Sequence, residues 1–301
     1  MNKNIIFKKK KIYLIGVGKV GSSLYHSLKS LGYDLQFASD TNIHRLKIIT
    51  ADDNKVKISA TIKKEYLIKS DVIIYAVSEK SLRRVINTCR KFKLDLSKKI
   101  VFHLSGIETS DLFKVLNINN ISIGSLHPLQ TFNKISYKDS KKLKSIYFGI
   151  EGGSHAIKYF VNYCKNLKSK YILVPKDKKV LYHGACVIAS NFMVSHFSII
   201  AKILKEISLE NKYNVEIFKP IIETTLDNIF KQGIEESLTG PFERGDVKSI
   251  DLHLKYFKEK LPSLLYYYIL LGMEAMNMSL SKKSITEKEK KKIEKLFLNH
   301  I

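Results

Sequence analysis

The sequence is poor in several residue types, and each shortage narrows the classes of protein to which it can belong. Its 301 residues include no tryptophan, five prolines and three cysteines. The cysteines, Cys89, Cys164 and Cys186, are far apart and odd in number, so neither a disulfide framework nor a zinc site is expected. Unpaired thiols are typical of a reducing compartment, and we predict a cytoplasmic protein without a metal centre.

Arginine is also scarce, although the chain is strongly basic. The formal net charge is +24, but only five of the 52 basic residues are arginines. Nucleic-acid-binding surfaces favour arginine for bidentate and stacking contacts, whereas the lysines here are scattered along the chain. The charge therefore does not predict a nucleic acid as partner.

No hydrophobic run is as uniformly apolar as a membrane-spanning helix is expected to be. The longest, Gly184–Ala201, contains Ser190, Asn191, Ser195 and His196, and we predict a buried helix there instead. The apolar stretch near the N-terminus is too short for a signal peptide. We therefore expect a soluble protein with no membrane partner, and 45% apolar residues suffice for substantial cores.

The periodicity of the chain changes near its middle. In the first part, short β-branched runs alternate with amphipathic stretches, which predicts a parallel sheet with crossover helices. After Lys176 the pattern is helical only. The predicted architecture is thus an α/β domain over residues 1–176 followed by an all-α domain over residues 177–301.

The individual elements follow from these patterns. The predicted strands are Lys11–Gly16, Leu35–Ser39, Val72–Val77, Ile100–Leu104, Ser122–Ser125, Ile146–Ile150 and Tyr171–Val174. The predicted helices are Val20–Leu31, Ser81–Phe92, Lys178 to about Glu210, Asn214–Gly233, Lys248–Tyr256, Pro262–Met278 and Thr286–Leu298. A capping box formed by Ser284 and Glu287 is predicted to begin the last helix.

A glycine-rich turn follows the first predicted strand and precedes the first helix. Gly16 permits the tight turn, Gly18 lets the backbone approach a pyrophosphate, and Gly21 lets the helix pack closely on the sheet. The N-terminus of the helix offers free N–H groups to the phosphates. This context predicts a dinucleotide-binding Rossmann domain. The residues of the turn expected to hold the cofactor are Gly16, Val17, Gly18, Lys19, Val20 and Gly21.

The end of the second strand bears on the choice between NAD and NADP. Asp40 lies where an acidic residue would bind the adenosine ribose and repel a 2′-phosphate, which favours NAD. Ser39, Thr41, Asn42 and Arg45 could instead hold that phosphate. The residues leave both cofactors open, with NAD slightly favoured.

Three later strands end in polar loops, which are predicted to surround the nicotinamide and the substrate because ligands bind beyond the carboxyl ends of parallel strands. The loops contain Ala76, Val77 and Ser78; His103, Ser105 and Gly106; and His127. Serine and glycine in such loops can equally well serve only to make turns.

The helix after Lys178 carries several polar side chains among apolar ones. At about 100° per residue, Lys179, His183 and Ser190 share one face, and Asn191 lies to one side of it. Buried polar groups need partners, so this face is either a functional site or a satisfied core network. We predict that it is catalytic.

Two further segments in the helical part carry predictions. The turn around Thr239 and Arg244, which also contains Asp246 and precedes His253, is richer in polar residues than a turn requires, and its first two members are predicted to contact the substrate. The segment Leu261–Met278 has more apolar surface than a small bundle hides, so a homodimer is predicted.

Six motifs in order, GVGKVG, HLSG, SLHPLQTF, FGIEGG, YHGACVIASNF and LTGPFERGD, make the chain resemble a bacterial family. That family joins a Rossmann-like domain to a helical C-terminal domain of unknown function, similar in layout to 6-phosphogluconate dehydrogenase, pyrroline-5-carboxylate reductase and an alternative type of ketopantoate reductase. The resemblance implies a nicotinamide cofactor and hydride chemistry. Relatives often carry a basic residue where this chain has Asp40, and this departure from the family pattern counts against a preference for NADP.

The resulting hypothesis is an NAD(P)H-dependent oxidoreductase that reduces a small 2-oxo acid, with ketopantoate as the first candidate. Hydride transfer to a carbonyl needs a proton donor at the oxygen. Lys179 is the first choice for that acid because burial lowers the pKa of a lysine, and His183 is the second. Ser190, Asn191 and Ser105 would orient a carboxylate substrate. A pyrroline-type imine reductase and a non-catalytic dinucleotide sensor remain alternatives.

Overall fold

The computed structural model describes residues 7–138, 141–209 and 215–301. The chain forms two compact units, Met1–Phe192 and Met193–Ile301. Contacts therefore divide the chain within the long helical stretch that follows Lys178, because the first turns of this stretch pack on the α/β unit. The predicted boundary between residues 176 and 177 separates a cofactor-binding domain from a substrate-binding and dimerisation domain. This functional division stays a prediction.

The first unit is built on an eight-stranded sheet with the order β3-β2-β1-β4-β5-β6-β7-β8. The strands β1 to β8 are, in order, Ile12–Ile15, Leu35–Ser39, Lys57–Ser59, Val72–Tyr75, Ile100–His103, Ser122–Pro128, Tyr147–Gly152 and Lys170–Leu173. The helices of this unit, α1 to α6, are Lys19–Ser30, Ile43–Ile49, Lys64–Lys69, Glu79–Lys91, Ser154–Asn166 and Lys179–Val187. Buried apolar side chains cover both faces of the sheet.

Two features of the sheet differ from the sequence-based prediction. Strand β3, an edge strand of three residues, was not predicted, because its exposed, half-buried and buried residues give no alternating signal. Strand β7 pairs antiparallel with β6, whereas the other ladders are parallel. The connection between β6 and β7 includes only a short 3₁₀ turn among its described residues, and a connection without a crossover helix suits antiparallel neighbours. The Rossmann-type, mostly parallel domain is nevertheless confirmed.

The helix that begins at Lys179 is not regular throughout. Helix α6 passes into a π-helical turn, Ile188–Phe192, and then into α7, Met193–Glu206. The helical stretch Lys176–Glu206 is long and apolar enough to cross a membrane by length and composition, and its 18-residue apolar window has a mean hydropathy of 1.6. One such helix is weak evidence for a membrane span, because core and interface helices have the same composition.

The prediction that this helix is buried was wrong. Only 6% of its most apolar window is buried. Large side chains on it are exposed, including Leu181 at 70% and Val194 at 71%. The sequence pattern identifies an apolar helix, but it cannot distinguish one that lies in a core from one that continues from one compact unit into the next.

Over residues 215–301, the second unit contains four further α-helices, all of them in predicted segments. Helices α8 to α11 are Lys219–Gln232, Val247–Lys260, Pro262–Ser281 and Glu287–His300. Asn214, the predicted start of the first of these, lies outside the described residues. The helices α9, α10 and α11 share one core that includes Ile250, Ile269 and Phe297.

The capping box of α11 is formed by Thr286 and Glu289, not by Ser284 and Glu287. The side chain of Thr286 accepts from the backbone N–H of Glu289, and the carboxylate of Glu289 accepts from that of Thr286. Both pairs fit the sequence signature of a capping box. Ile285 is buried in the helical core, and this fixes the position at which the helix begins.

Candidate active site

The three glycines of the turn between β1 and α1 have distinct roles. Gly16 has a φ of +97°, and a Cβ there would lie 2.6 Å from the carbonyl oxygen of Ala76. A Cβ on Gly21 would collide with the carbonyl oxygen of Gly16 and lie 3.1 Å from the Cβ of Ala76. Gly18, in contrast, has nothing within 4 Å. The turn is therefore open at Gly18, where a bound ligand can approach the backbone.

A cavity of about 550 Å³ lies beside this turn. It is lined by seven of the predicted cofactor residues, Gly16, Gly18, Ser39, Asp40, Ala76, Val77 and Ser78. Helix α1 has 12 residues, begins after Gly18 and has no side-chain cap, so its first N–H groups can bind an anion. Val17, Lys19, Val20 and Gly21 belong to the turn without lining the cavity. These residues fit a nicotinamide dinucleotide, with the pyrophosphate at the helix N-terminus.

Asp40 is engaged within the protein. One carboxylate oxygen accepts from the backbone N–H of Val17 at 2.7 Å. The other accepts from the backbone N–H of Asn42 at 2.8 Å and from the guanidinium of Arg45 at 2.6 Å. Asp40 thus holds the glycine turn in place, and Arg45 compensates its charge beside the cavity.

The loop after β5 is ordered by a neutral histidine. Burial, with a smaller contribution from the charge of Lys179, lowers the pKa of His103 to about 3. Its Nδ1 accepts from the backbone N–H of Ser105 at 3.2 Å, and its Nε2 lies 3.1 Å from the carbonyl oxygen of Thr109. The hydroxyl of Ser105 donates to Glu79 at 2.5 Å. His103 therefore shapes the loop, while Ser105 joins it to the first turn of α4.

Lys179 lies in a buried polar cluster. Its side chain is 2% exposed, and its ammonium donates to the hydroxyl of Ser125 at 2.6 Å and to the carbonyl oxygen of Glu108. The carboxylate of Glu151, 3% exposed, lies 3.8 Å from the ammonium. Glu151 also accepts from the backbone N–H and the hydroxyl of Ser110, at 2.8 and 2.6 Å. The ammonium thus donates to two protein acceptors and has the carboxylate of Glu151 beside it.

Burial lowers the pKa of Lys179 to about 8, and the nearby charge of Glu151 opposes the change. The direction agrees with the prediction for a catalytic lysine. The location does not help that role, because Lys179 lines neither the cofactor cavity nor the second cavity described below. Of the four residues on this helix that were predicted to be catalytic, His183, Ser190 and Asn191 line a cavity, whereas Lys179 does not.

The second cavity, of about 470 Å³, contains these three residues together with His127. Gly106 lies between the two imidazoles, since a Cβ there would be 2.7 Å from Cδ2 of His183 and 2.9 Å from Nε2 of His127. Neither that nitrogen nor a ring nitrogen of His183 forms a hydrogen bond within the part of the chain that the structure describes. Two imidazoles thus present nitrogens beside the loop that carries Ser105.

The predicted substrate residues of the helical part belong to the second unit. Thr239 precedes Gly240, which has a φ of +97°, and the backbone N–H of Arg244 donates to the carbonyl of Gly240. Asp246 caps α9 by accepting from Ser249. His253 has its Nδ1 2.7 Å from the hydroxyl of Tyr268. Capping and packing therefore account for Asp246 and His253, while the roles of Thr239 and Arg244 stay predictions.

Several residues of the site were not predicted from the sequence, among them Glu79, Gly149, Glu151 and Tyr182. The available signal was the FGIEGG motif, which places a carboxylate in an otherwise apolar strand and therefore requires partners for it. No comparable signal marks Tyr182. In the described part of the chain, no three His, Cys, Asp or Glu side chains are grouped so that they could hold a metal ion.

The sheet, the open glycine turn and the adjoining cavity define a Rossmann-like oxidoreductase. Residues 11–102 match the family described as NADP oxidoreductase, coenzyme F420-dependent, and residues 146–275 match a domain of unknown function, DUF2520. The chain is thus similar to Rossmann-like NADP oxidoreductases in its first part and to DUF2520 in its later part, and the resemblance predicted from its motifs is confirmed. No curated protein matches it in sequence.

Solved structures share the fold over nearly the whole chain. A protein from Thermotoga maritima is 23% identical with a TM-score of 0.70, and the match covers 90% of this chain and 99% of that one. A protein from Bacteroides fragilis described as an NADP oxidoreductase is 18% identical, with a TM-score of 0.66 and the same coverage. The pyrroline carboxylate reductase of Plasmodium falciparum is 13% identical, with a TM-score of 0.52 over 90% of this chain and 99% of that one.

The buried position of Lys179 generates a testable prediction. Lys179→Met should leave the carboxylate of Glu151 without its buried cation, with only the half-exposed ammonium of Lys176 at 3.9 Å, and lower the free energy of unfolding by about 3–5 kcal/mol. Lys179→Met combined with Glu151→Gln should lose less than the single variant, because no unpaired charge is left. Circular dichroism during urea unfolding measures both, and Lys178→Met, whose side chain is 62% exposed, is the control. Unchanged stability together with a large loss of kcat would instead make Lys179 the acid.

Proposed function

We propose that the protein is an NADPH-dependent reductase of a small carbonyl or imine compound that binds in the cavity lined by His127, His183 and Asn191. The observation that carries the proposal is the position of Gly106. The loop of Ser105 and Gly106 is joined to the first turn of α4, next to the cofactor cavity, by the bond from Ser105 to Glu79. On its other side, Gly106 lies against both imidazoles.

The reaction needs a hydride at carbon and a proton at the oxygen or nitrogen. A bound reduced nicotinamide supplies the hydride. We assign the proton to His183, because its imidazole lines the cavity whereas the ammonium of Lys179 is enclosed by protein acceptors. Ser190 and Asn191, which line the same cavity, are assigned to orient the substrate. The product is the corresponding alcohol or amine.

The lining of the cavity bears on the substrate class. It consists of histidines, neutral polar residues and apolar residues, and within the described part of the first unit it includes neither lysine nor arginine. A 2-oxo acid such as ketopantoate and a cyclic imine such as pyrroline-5-carboxylate both offer a reducible carbon of suitable size. The likeness in fold to a pyrroline carboxylate reductase supports testing the imine beside the 2-oxo acid.

We further propose NADP as the preferred cofactor. Asp40, the residue that favoured NAD, already accepts three hydrogen bonds from the protein. Arg45, Arg84 and Thr41 line the same cavity and offer a cationic and polar surface to a 2′-phosphate. The matched family and the relative from Bacteroides fragilis are both described as NADP oxidoreductases, which supports this preference.

We also propose that the helical part forms a homodimer. Helix α10 exposes Tyr266 at 63%, Leu270 at 67% and Met273 at 48%, which are spaced so that they share one face. Such an apolar face is costly to leave in water. A second copy of the chain is its proposed occupant, because the same face in a partner offers a matching apolar surface.

Replacement of His183 tests the proposed chemistry. With NADPH and a panel that includes ketopantoate and pyrroline-5-carboxylate, the wild-type protein should oxidise the cofactor with at least one compound. His183→Gln should lose about 10²–10⁴-fold in kcat, the range of general acid catalysis, and retain its affinity for NADPH. His155→Gln, at an exposed position of α5, is the control. Binding of NADPH without turnover of any member of the panel would favour the sensor.

Cofactor preference can be tested by calorimetry. Arg45→Ala and Arg84→Ala should each raise the Kd for NADPH by roughly 10- to 100-fold and change that for NADH much less, because each removes a contact of about 1.5–3 kcal/mol to a phosphate. Arg90→Ala, on the same helix as Arg84 but absent from the cavity lining, is the matched control. Asp40→Asn should weaken both cofactors alike, and a shift of preference toward NADPH would show that Asp40 selects NAD.

Sedimentation tests the dimer. The protein should sediment as a dimer at micromolar concentration, and Leu270→Glu should yield monomers because it places a charge in the apolar face. Leu298→Glu is the control, since Leu298 is 74% exposed on α11 and outside that face. A wild-type monomer, or a dimer that survives Leu270→Glu unchanged, would contradict the proposed interface.

A further inference from the structure

Tyr182 makes a specific contact with His127. Its hydroxyl lies 2.8 Å from Nδ1 of His127, and the two rings are nearly perpendicular, at 89° with centroids 5.7 Å apart. Nε2 of His127 is on the side of Gly106, and His127 lines the cavity proposed for the substrate. The tyrosine thus touches the nitrogen of His127 that is remote from the substrate.

The sheet provides the space for this contact. Gly149 on β7 pairs directly with His127 on β6. A Cβ on Gly149 would lie 2.7 Å from Cζ of Tyr182, so the tyrosine ring occupies the volume that a side chain at residue 149 would need. The register of the antiparallel pair therefore places the space left by Gly149 beside His127. The first turn of α6 inserts the phenol of Tyr182 into that space.

The direction of the hydrogen bond follows from the protonation of both groups. Burial raises the pKa of Tyr182 and lowers that of His127 to about 4, so at neutral pH the phenol keeps its proton and the imidazole carries only one. A proton on Nδ1 would leave the phenol to find another acceptor, and the neighbouring Cys186 offers only a weak one. The phenol therefore donates to Nδ1, and the proton of His127 is on Nε2.

We propose that Tyr182 is a positioning residue that holds His127 in the Nε2–H tautomer, so that His127 donates a hydrogen bond to the substrate oxygen or nitrogen at which negative charge develops. The inference rests on the proposed function, and it adds a second role in the same cavity. His183 supplies a proton, whereas His127 stays neutral and stabilises charge without transferring its own. A preorganised donor of this kind is effective because its orientation is fixed before the reaction.

The tautomer can be measured without any substrate. In protein labelled with ¹⁵N-histidine, the resonances of His127, assigned with His127→Gln, should show Nε2 protonated and Nδ1 unprotonated at neutral pH. Tyr182→Phe should shift the Nδ1 resonance to that of a nitrogen without a hydrogen bond. Tyr147→Phe, which alters an exposed tyrosine of β7, should leave it unchanged. A proton on Nδ1 in the wild-type protein overturns the inference even if Tyr182→Phe fails to fold.

Kinetics separates this inference from the proposed function. With a substrate from the panel, Tyr182→Phe should lower kcat by roughly 10-fold or more, in the range reported for partners that orient a functional histidine. Its affinity for NADPH should stay that of the wild type. A changed Nδ1 resonance with unchanged kcat would overturn the role of Tyr182 while leaving the reductase intact. Absence of turnover by the wild-type protein would contradict the proposed function, while the tautomer would still be decided by NMR.

Discussion

The interaction on which the rest of the site depends is the burial of the Lys179 ammonium beside Glu151. A buried cation is costly unless acceptors surround it, and here they come from three separate segments. Ser125 belongs to β6, Glu151 to β7, and the carbonyl of Glu108 to the loop that follows β5. Because one charge needs all three, the start of α6 is fixed relative to both strands and the loop. The fixed start of α6 thereby also positions Tyr182 and His183, which lie one turn further along that helix.

At the glycine turn, too, a single charged side chain holds several parts of the backbone in place. Asp40 could be expected to meet a ribose, yet its carboxylate binds the backbone of the turn and of its own loop. Asp40, which its position suggests as a ligand of the dinucleotide, thus maintains the geometry of the turn at which a dinucleotide would bind. Position along the chain identified Asp40 as important, but the hydrogen bonds assign it a different task.

Much of the fold could be predicted from the sequence, because its signals are local. The strand β1, the glycine turn and α1 follow from short-range pattern, and strand β2 coincides with the predicted Leu35–Ser39. Pairing direction is not local, so β7 was predicted as a strand but its antiparallel direction was missed. Exposure is not local either, and the apolar helix after Lys178 was therefore wrongly expected to be buried.

The candidate site shows the same limit at the level of single residues. The helical face that includes Lys179, His183 and Ser190 was identified by periodicity, but periodicity cannot tell which of its members meets a cavity and which meets Glu151. The partners of each group come from strands far along the chain, as Ser125 and Glu151 do for Lys179. Tyr182 is the clearest case, since its importance depends on a side chain that is missing opposite His127.

The π-helical turn at Ile188–Phe192 has a consequence for the geometry of the helix that carries the site. A turn of this kind contains one residue more than an α-helical turn, and such bulges are frequent at functional sites. A regular α-helix advances by about 100° per residue, and the wider π-helical turn advances by less, so the side chains of Ile188–Phe192 do not follow the spacing that α-helical periodicity predicts. This local spacing sets the directions of Ser190 and Asn191, which line the same cavity as His183.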